Sequence, residues 1–365
     1  MRIGILTFHC AHNYGAVLQC YALQEALKGM GHDVEIIDYQ PEFLLTPYKI
    51  FNTKRYKSNN PFKIAKKTLR EVLVARMRIK RYSAFQHFIQ TMLNLSTKVQ
   101  GRDIPSTYDI YIMGSDQIWN PKITKGFDPV YFGNFQFAKA NKKYVAYAAS
   151  MEACALAPEA IDFYRKSLCK FDSVSVREKQ LAGLLQPLSE KPIETVLDPT
   201  LLAEAEIWHK IAKRPKFHGK YVLVYQVGRN RNTLKIASSI AQEIGAVVIE
   251  ITAEIFASFN RRKLQCESPE EFLGWIKHAS FVVTTSFHGT AFSIIFNRPF
   301  YCIELKKNGN TRCRSLLSNI GLENRLISVL DMPRFSGLDY SYASSCISKL
   351  QAQSLSFLTK AISKE

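Results

Sequence analysis

The chain alternates short apolar runs with helix-like segments, and it does so in two successive series. The first series places strand-like runs at residues 3–8, 34–38, 108–113, 143–150 and 173–176. The second series follows residues 196–200 and places such runs at residues 221–227, 247–251, 281–285 and 299–304. Strands that alternate with helices form parallel sheets covered by helices. The pattern therefore predicts an α/β protein with two Rossmann-like domains that face a cleft.

The length of the chain supports two domains, because 365 residues exceed what one hydrophobic core usually holds. We expect an N-terminal domain at residues 1–195, with a basic helical insertion at about 49–92. A C-terminal domain follows at residues 196–340. The periodicity of residues 341–365 predicts a last helix that packs back on the N-terminal domain.

Composition narrows the class of protein. The chain has no low-complexity tract, no apolar run near the roughly 20 residues that span a bilayer, and an N-terminal apolar run too short for a signal peptide. Its eight cysteines form no C-x-x-C pair or zinc-like spacing. We therefore expect a cytoplasmic protein with reduced thiols, no metal site and no cofactor.

The net charge of +18 is concentrated in one segment. Between Lys49 and Tyr82 there are twelve Lys or Arg residues and one acid, Glu71. A basic amphipathic helix there can lie on an anionic membrane or hold a phosphate polymer, and a solvated helix face explains the pattern equally well. No nucleic-acid-binding motif accompanies the charge, so we expect no nucleic-acid partner.

The segment after the apolar run 281–285 is the strongest candidate for chemistry. It contains Ser286, His288, Gly289 and Thr290, and a helical pattern resumes at Ala291. Backbone N–H groups at a helix N-terminus bind anions, and a histidine there can transfer a proton at neutral pH. The structural alternative is a serine that only caps the helix.

The first strand also ends in polar residues, namely His12, Asn13 and Tyr14. The glycine pattern of dinucleotide-binding proteins is absent from this turn. Parallel strands present their carboxyl ends at one edge of the sheet, so these side chains are expected near a ligand. A plain turn explains Asn13, and His12 can equally be a structural histidine.

The strand at residues 108–113 is followed by Asp116, Gln117, Trp119 and Asn120. Carboxylate and amide groups hydrogen-bond sugar hydroxyls, and an indole ring stacks on a sugar ring. The alternative is that Asp116 caps a helix and Trp119 lies in the core. We expect an acceptor-binding role for this segment.

Two further strand ends carry cations. Arg177 follows the strand at residues 173–176, where it can bind a carboxylate or phosphate through two hydrogen bonds. Lys306 and Arg312 lie in a basic loop after the strand at residues 299–304. The alternative for Arg177 is a surface pair with Glu178.

Taken together, five of these segments resemble the polysaccharide pyruvyl transferase family. In order, they read Asn-Tyr-Gly-Ala-Val-Leu-Gln at 13–19, Gly-Ser-Asp-Gln-Ile-Trp-Asn at 114–120, Ser-Val-Arg-Glu at 175–178, Leu-Asp-Pro-Thr at 197–200 and Ser-Phe-His-Gly at 286–289. The resemblance spans roughly residues 3–320. It implies a GT-B-like fold and transfer of pyruvate from phosphoenolpyruvate to a sugar of a capsule or exopolysaccharide precursor, as a ketal.

The resemblance also assigns roles to the candidates. His288 would act at the donor site as an acid or phosphate ligand, with Arg177, Ser286, Gly289, Thr290, Arg312 and Lys306 binding the anionic donor. The resemblance places Asp116 near the acceptor, and we infer that it is a base or orienting group for a hydroxyl. The acceptor would contact His12, Asn13, Tyr14, Gln117, Trp119 and Asn120. A lipid-linked acceptor would bring the enzyme to the inner face of the cytoplasmic membrane.

One departure from the family pattern concerns charge. Many members resemble Arg-x-His-Gly at the histidine motif, whereas this chain has Ser286 in place of the arginine. Arg312, Arg229 or Lys306 are the candidates to supply that cation. Two other functions fit the sequence: a GT-B glycosyltransferase that uses a sugar nucleotide, and a non-enzymatic binder of polyanions or membranes.

Overall fold

The fold consists of two six-stranded parallel sheets, each covered by helices. The computed structural model describes residues 1–50, 61–137, 139–152, 155–228, 230–253, 255, 260–305 and 310–363, and for residues 61–73 it describes the backbone helix without the side chains. Within these residues the strand orders are β2-β1-β3-β4-β5-β6 and β12-β11-β10-β7-β8-β9. The predicted α/β class with two Rossmann-like, GT-B-like halves is confirmed.

The N-terminal half contains the first six strands and six helices. Its strands are β1 (Arg2–Leu6), β2 (Asp33–Ile36), β3 (Ile110–Met113), β4 (Lys143–Ala149), β5 (Ser173–Val176) and β6 (Ile193–Thr195). Its helices are α1 (Tyr14–Gly29), α2 (Glu42–Leu45), α3 (Pro61–Met92), α4 (Pro121–Thr124), α5 (Pro158–Leu168) and α6 (Lys179–Leu185). The strand order reverses between β1 and β3, which opens a crevice at their carboxyl ends.

The C-terminal half repeats the architecture. Its strands are β7 (Tyr221–Gln226), β8 (Val247–Thr252), β9 (Lys263–Leu264), β10 (Phe281–Thr284), β11 (Phe300–Glu304) and β12 (Leu326–Ser328). Its helices are α9 (Arg231–Glu243), α10 (Pro269–Lys277), α11 (Phe287–Ile295) and α12 (Thr311–Asn319). Here the order reverses between β7 and β10, and the strand β10 leads directly into α11.

Helix α11 begins four residues before the position that the sequence pattern indicated. The Ser286 side chain accepts a hydrogen bond from the Gly289 N–H and so caps the helix. Periodicity alone favours Ala291 as the start, because residues 286–290 are small or polar. The consequence is that His288 lies inside the first helical turn instead of in the preceding loop.

The two halves are joined by a linker, of which residues 196–203 are buried, and by the last helix. The linker carries α7 (Pro199–Leu202) and α8 (Ala205–Ile211), and α13 (Ser341–Ile362) ends the described chain. The Ser354 hydroxyl accepts from the Leu197 N–H at 2.9 Å, and the Phe357 ring lies 6.3 Å from the Tyr147 ring. The predicted return of the last helix onto the N-terminal half is confirmed.

Helix α3, in the predicted basic insertion, also connects the halves. The buried Arg81 guanidinium donates to the backbone carbonyls of Thr252 and Gln265 in the C-terminal half and of His12 in the N-terminal half. The basic residues of the 49–82 segment are the candidates for membrane contact, and for Arg81 that prediction is wrong because its side chain is buried between the halves. Three others, Lys54, Arg55 and Lys57, lie outside the described residues. None of the helices that the structure describes is long and apolar enough to span a membrane.

Substitution of Gly274, with Gly183 as the control, tests the packing between the linker and α10. A Cβ on Gly274 would lie 1.7 Å from the Lys213 carbonyl oxygen, whereas the exposed Gly183 has no heavy atom within 4 Å. Gly274→Ala should lower the free energy of unfolding by about 1–3 kcal/mol or more, since backbone must move. Gly183→Ala should leave it unchanged or raise it by about 0.5–1 kcal/mol. Chemical denaturation of both variants measures this; equal effects would contradict the packing described.

Candidate functional site

A cavity of about 440 Å³ lies between the carboxyl ends of the two sheets. The N-terminal half contributes Asn13, Asp116 and Gln117, together with an apolar wall, and the C-terminal half contributes Ser286, His288, Asn310 and Arg312 to the lining. Its size is within the roughly 300–1,000 Å³ of small-molecule sites. The cavity therefore brings together candidates that lie up to about 300 positions apart in the sequence.

Three helices, α1, α11 and α12, begin at this cavity. The Asn13 side chain accepts from the Gly15 and Ala16 N–H groups and so caps α1. Helix α12 differs, because Asn310 makes no side-chain cap and instead donates its amide to the Thr285 carbonyl and the Cys302 thiol. Helices α11 and α12 therefore direct their positive dipole ends toward the same space.

Arg312 adds a formal charge at this end of the cavity. Its side chain is 17% exposed, and its Nη2 lies 3.9 Å from a Glu152 carboxylate oxygen that is itself at the cavity. The Arg312 Nε is buried and has no hydrogen-bond partner among the described residues. The arrangement favours an anion that can approach both this guanidinium and the helix N-termini.

His288 is held at the cavity by close packing against α1. A Cβ on Gly15 would lie 1.9 Å from the His288 Nδ1, so only glycine permits this approach. The ring's Nε2 faces the other way, 3.7 Å from an Asp198 carboxylate oxygen, and is buried. On the far side of α11, a Cβ on Gly289 would lie 2.3 Å from the Thr284 hydroxyl. Gly15 and Gly289 thus allow the first turn of α11, which carries His288, to pack between the two domains.

Beneath the cavity lies a buried cluster of charges. The Arg177 Nη1 donates to the Asp198 Oδ2 at 2.5 Å, and its Nε and Nη2 lie 3.8 Å and 3.7 Å from Glu178 and Asp116. The Arg177 side chain is 2% exposed and packs against the Phe287 ring. Arg177 therefore does not line the cavity; it is enclosed by three carboxylates, of which only Asp116 reaches the cavity.

The cluster sets the protonation of its members. Burial by itself raises the pKa of Asp198, but Arg177, then His288 and Thr200, outweigh it and hold that pKa far below its usual range. Burial raises the pKa of Glu178, against the opposing effects of Arg177 and the Ser150 hydroxyl. Asp198 is therefore ionised at neutral pH. The motif at 197–200 by itself indicated no role for Asp198, although Asp-Pro-Thr is a recognisable helix start.

The predicted acceptor residues divide into two groups. Asn13 and Gln117 line the cavity, whereas His12 and Tyr14 lie in the contact between α1, α3 and the C-terminal half. The Tyr14 ring stacks on Phe272 at 4.3 Å and its hydroxyl donates to the Glu267 carbonyl. Burial, followed by the nearby Arg81, lowers the pKa of His12 to about 4, so its ring is neutral at pH 7.

Trp119 and Asn120 support the wall of the cavity from behind. The Trp119 ring is 1% exposed, stacks on Phe132 at 5.4 Å and donates to the Tyr131 carbonyl. Asn120 caps α4 and donates its amide to the Gln117 side chain. The predicted stacking of Trp119 on a sugar has no exposed ring face available, because aromatic residues distant in sequence enclose the ring.

The remaining donor candidates are placed as follows. Thr290 is buried one turn inside α11, where its hydroxyl donates to the Ser286 carbonyl. Lys306 and Arg229 lie outside the described residues. Among the residues that the structure does describe, no group of three or more His, Cys, Asp or Glu side chains is arranged to hold a metal ion.

Comparison with known proteins identifies the family. The family model for polysaccharide pyruvyl transferase matches residues 13–307, which is most of the chain. The chain therefore belongs to the polysaccharide pyruvyl transferase family, as the five motifs indicated. No curated protein matches the chain significantly.

Solved structures resemble the chain at the level of the fold. The UDP-GlcNAc 2-epimerase of Methanocaldococcus jannaschii aligns with TM-score 0.45 and 13% identity over 95% of this chain and 92% of that one. The UDP-N-acetylglucosamine 2-epimerase of Rickettsia bellii aligns with TM-score 0.44 and 10% identity over 96% of this chain and 87% of that one. The Streptomyces sp. SF2575 glycosyltransferase SsfS6 aligns with TM-score 0.40 and 11% identity over 99% of this chain and 95% of that one. At these values the likeness carries no functional conclusion.

The packing of His288 on α1 can be tested directly. Gly15→Ala should displace the imidazole and lower transferase turnover by roughly 10–100-fold, because small misplacements of a reacting group are costly. Gly29→Ala, at the exposed end of the same helix with no heavy atom within 4 Å of its Cβ, is the matched control and should keep wild-type turnover. Full activity in a folded Gly15→Ala protein would show that the position of His288 is unimportant.

Proposed function

We propose that this chain transfers pyruvate from phosphoenolpyruvate to a sugar of a polysaccharide precursor, as a ketal across two hydroxyls, and releases phosphate. The observation that supports this best is the end of the cavity where α11, α12, Arg312 and His288 meet. Phosphoenolpyruvate carries a phosphate and a carboxylate, and both need cationic groups or helix N–H donors. The family supplies the reaction class, and this anion-binding end supplies a place for the donor.

The reaction requires proton transfers that the lining residues can perform. A proton adds to the methylene carbon of the donor, and the neighbouring carbon becomes electrophilic. A sugar hydroxyl oxygen bonds to that carbon and loses its proton. The carbon–oxygen bond to phosphate breaks with its electron pair on phosphate, and a second hydroxyl oxygen bonds in its place, losing its proton. We assign proton delivery to His288 and hydroxyl deprotonation to Asp116.

On the acceptor side, we propose that the sugar lies against the N-terminal half. Asn13 and Gln117 offer amide groups to hydroxyls, and the apolar wall includes Phe8, Leu44 and Tyr48. Cationic side chains and helix dipoles can stabilise the departing phosphate without a metal. We therefore propose a reaction that needs neither a divalent ion nor a cofactor.

The decisive assay measures phosphate release from phosphoenolpyruvate by the purified chain, with EDTA present, over a panel of galactose-, mannose- and glucosamine-type acceptors. We expect phosphate release that depends on the acceptor. We also expect a sugar product whose mass, measured by mass spectrometry, is increased by one pyruvate ketal. Release of a nucleoside diphosphate from sugar nucleotides instead would favour the glycosyltransferase alternative. If activity is lost on chelation and restored by a divalent ion, only the metal-free mechanism is contradicted, and the proposed transfer reaction is not.

His288 and Arg312 should affect different kinetic constants. His288→Ala should lower kcat by roughly 10²–10⁴-fold, since it removes a proton donor. Arg312→Lys keeps the charge but loses the planar guanidinium, which can donate two parallel hydrogen bonds to one anion. The KM for phosphoenolpyruvate should therefore rise about tenfold, with kcat little changed. Arg165→Lys, at an exposed pair with Asp162, is the control and should change neither constant. Steady-state kinetics would contradict the assignment if the Arg312 and Arg165 variants behaved alike.

We also propose peripheral contact with an anionic membrane through α3. In the part of this helix whose side chains are described, Arg76 and Lys80 are exposed beside Ile79 and Tyr82, which are 48% and 41% exposed. Cations next to exposed apolar side chains are typical of helices that lie at a membrane surface. A lipid-linked acceptor would make such contact useful.

The membrane proposal predicts binding to vesicles that contain anionic lipid. Arg76→Gln with Lys80→Gln should weaken it roughly 30-fold, from about 1 kcal/mol per cation. Lys349→Gln with Lys360→Gln removes the same charge from exposed positions on α13 and should have little effect. Sedimentation with vesicles at low and high salt measures both. Wild-type protein that stays in the supernatant at low salt, or equal losses in the two variants, would exclude this role for α3.

A further inference from the structure

Asp198 lies where the two halves of the molecule meet. It is at the start of the linker helix α7, is 2% exposed, and receives hydrogen bonds at its Oδ1 from the N–H and hydroxyl of Thr200, at 2.9 Å and 2.6 Å. Its other oxygen, Oδ2, accepts from Arg177 and from the Ser115 hydroxyl at 3.3 Å. The position and charge of this carboxylate are therefore fixed by groups of the N-terminal half and the linker.

The same Oδ2 also faces the His288 imidazole. The His288 Nε2 lies 3.7 Å away, is buried, and has no other hydrogen-bond partner among the described residues. A buried ring nitrogen without a partner is costly, so a small approach of the C-terminal half would form a hydrogen bond to Asp198. Catalytic hydrogen bonds are often long in unliganded proteins and shorten when substrate binds.

We propose that Asp198 is the positioning residue that holds the proton of neutral His288 on Nε2 and leaves Nδ1 as the atom that exchanges protons with a bound molecule. A carboxylate facing one ring nitrogen stabilises the N–H at that nitrogen. His288 lines the cavity, and its other nitrogen, Nδ1, packs against Gly15, where a Cβ would lie 1.9 Å away. The ring then presents Nδ1 to the donor in both its neutral and its protonated form.

The arrangement also explains why Arg177 is buried among carboxylates. An isolated Asp198 would be expensive to bury, and the Arg177 guanidinium compensates its charge. Arg177 thus acts on the donor through Asp198 and His288, in contrast to the direct anion contact expected from its strand-end position. The catalytic part of this inference rests on the proposed function, whereas the tautomer of His288 does not.

The tautomer is measured by long-range ¹H–¹⁵N NMR of histidine-labelled protein in alkaline buffer, without substrate. The signal of His288 among the eight histidines is identified by its loss in His288→Gln. We expect the Nε2–H tautomer in the wild type and a loss of that preference in Asp198→Asn. Ser115→Ala, which removes a donor to the same oxygen but keeps the carboxylate, should keep it. An Nδ1–H tautomer in the wild type overturns the proposal even if Asp198→Asn does not fold.

Kinetics provide the second test. Asp198→Asn should lower kcat by roughly 10²–10⁴-fold while the KM for phosphoenolpyruvate stays within about threefold, as expected when the wrong tautomer is stabilised. A changed tautomer with unchanged kcat would overturn the catalytic role of Asp198. An unchanged tautomer with reduced kcat would make Asp198 merely structural. If the wild type shows the Nε2–H tautomer but no phosphate release, the proposed function fails and the ring assignment stands.

Discussion

The ion pair between Arg177 and Asp198 is the interaction on which the site depends. It joins the end of β5 to the linker, and both side chains are almost completely buried. Removing one partner of such a pair typically costs about 3–5 kcal/mol, since the other charge stays buried without compensation. The pair fixes the floor beneath the cavity, and His288 of the C-terminal half lies directly above it. The site is therefore a product of the domain junction and belongs to neither half alone.

The sequence predicted the architecture well because strand and helix periodicity is local. The strand before Arg177 and the polar ends of β1, β3 and β10 follow from neighbouring residues. The roles of Arg177 and Trp119 could not be predicted in the same way. Arg177 is enclosed by carboxylates from residues 116, 178 and 198, and the Trp119 ring is covered by Phe132 and Phe171. Those contacts exist only once the sheet has formed. Asp198 appears in the sequence only as part of the Leu-Asp-Pro-Thr motif, because its histidine partner is 90 positions away.

We propose that the two halves contribute different parts of the chemistry in the cavity. The C-terminal half offers helix N–H donors, Arg312 and His288, which suit an anionic donor. The N-terminal half offers Asp116, amide side chains and an apolar wall, which suit a sugar. Arg312 extends from the first turn of α12 into the cavity, so it is the described cation best placed to replace the arginine that this chain lacks at Ser286. Its buried, unpaired Nε supports that role.

We propose that the N-termini of α11 and α12 hold the anionic donor. Backbone amide NMR of the full chain during titration with phosphoenolpyruvate tests it most directly. We expect saturable shifts of the Phe287, His288, Thr311 and Arg312 amide signals, and a weaker response at the same amides with inorganic phosphate. Saturable shifts elsewhere with these four signals unmoved, or a response at them to uridine diphosphate but not to phosphoenolpyruvate, would contradict it.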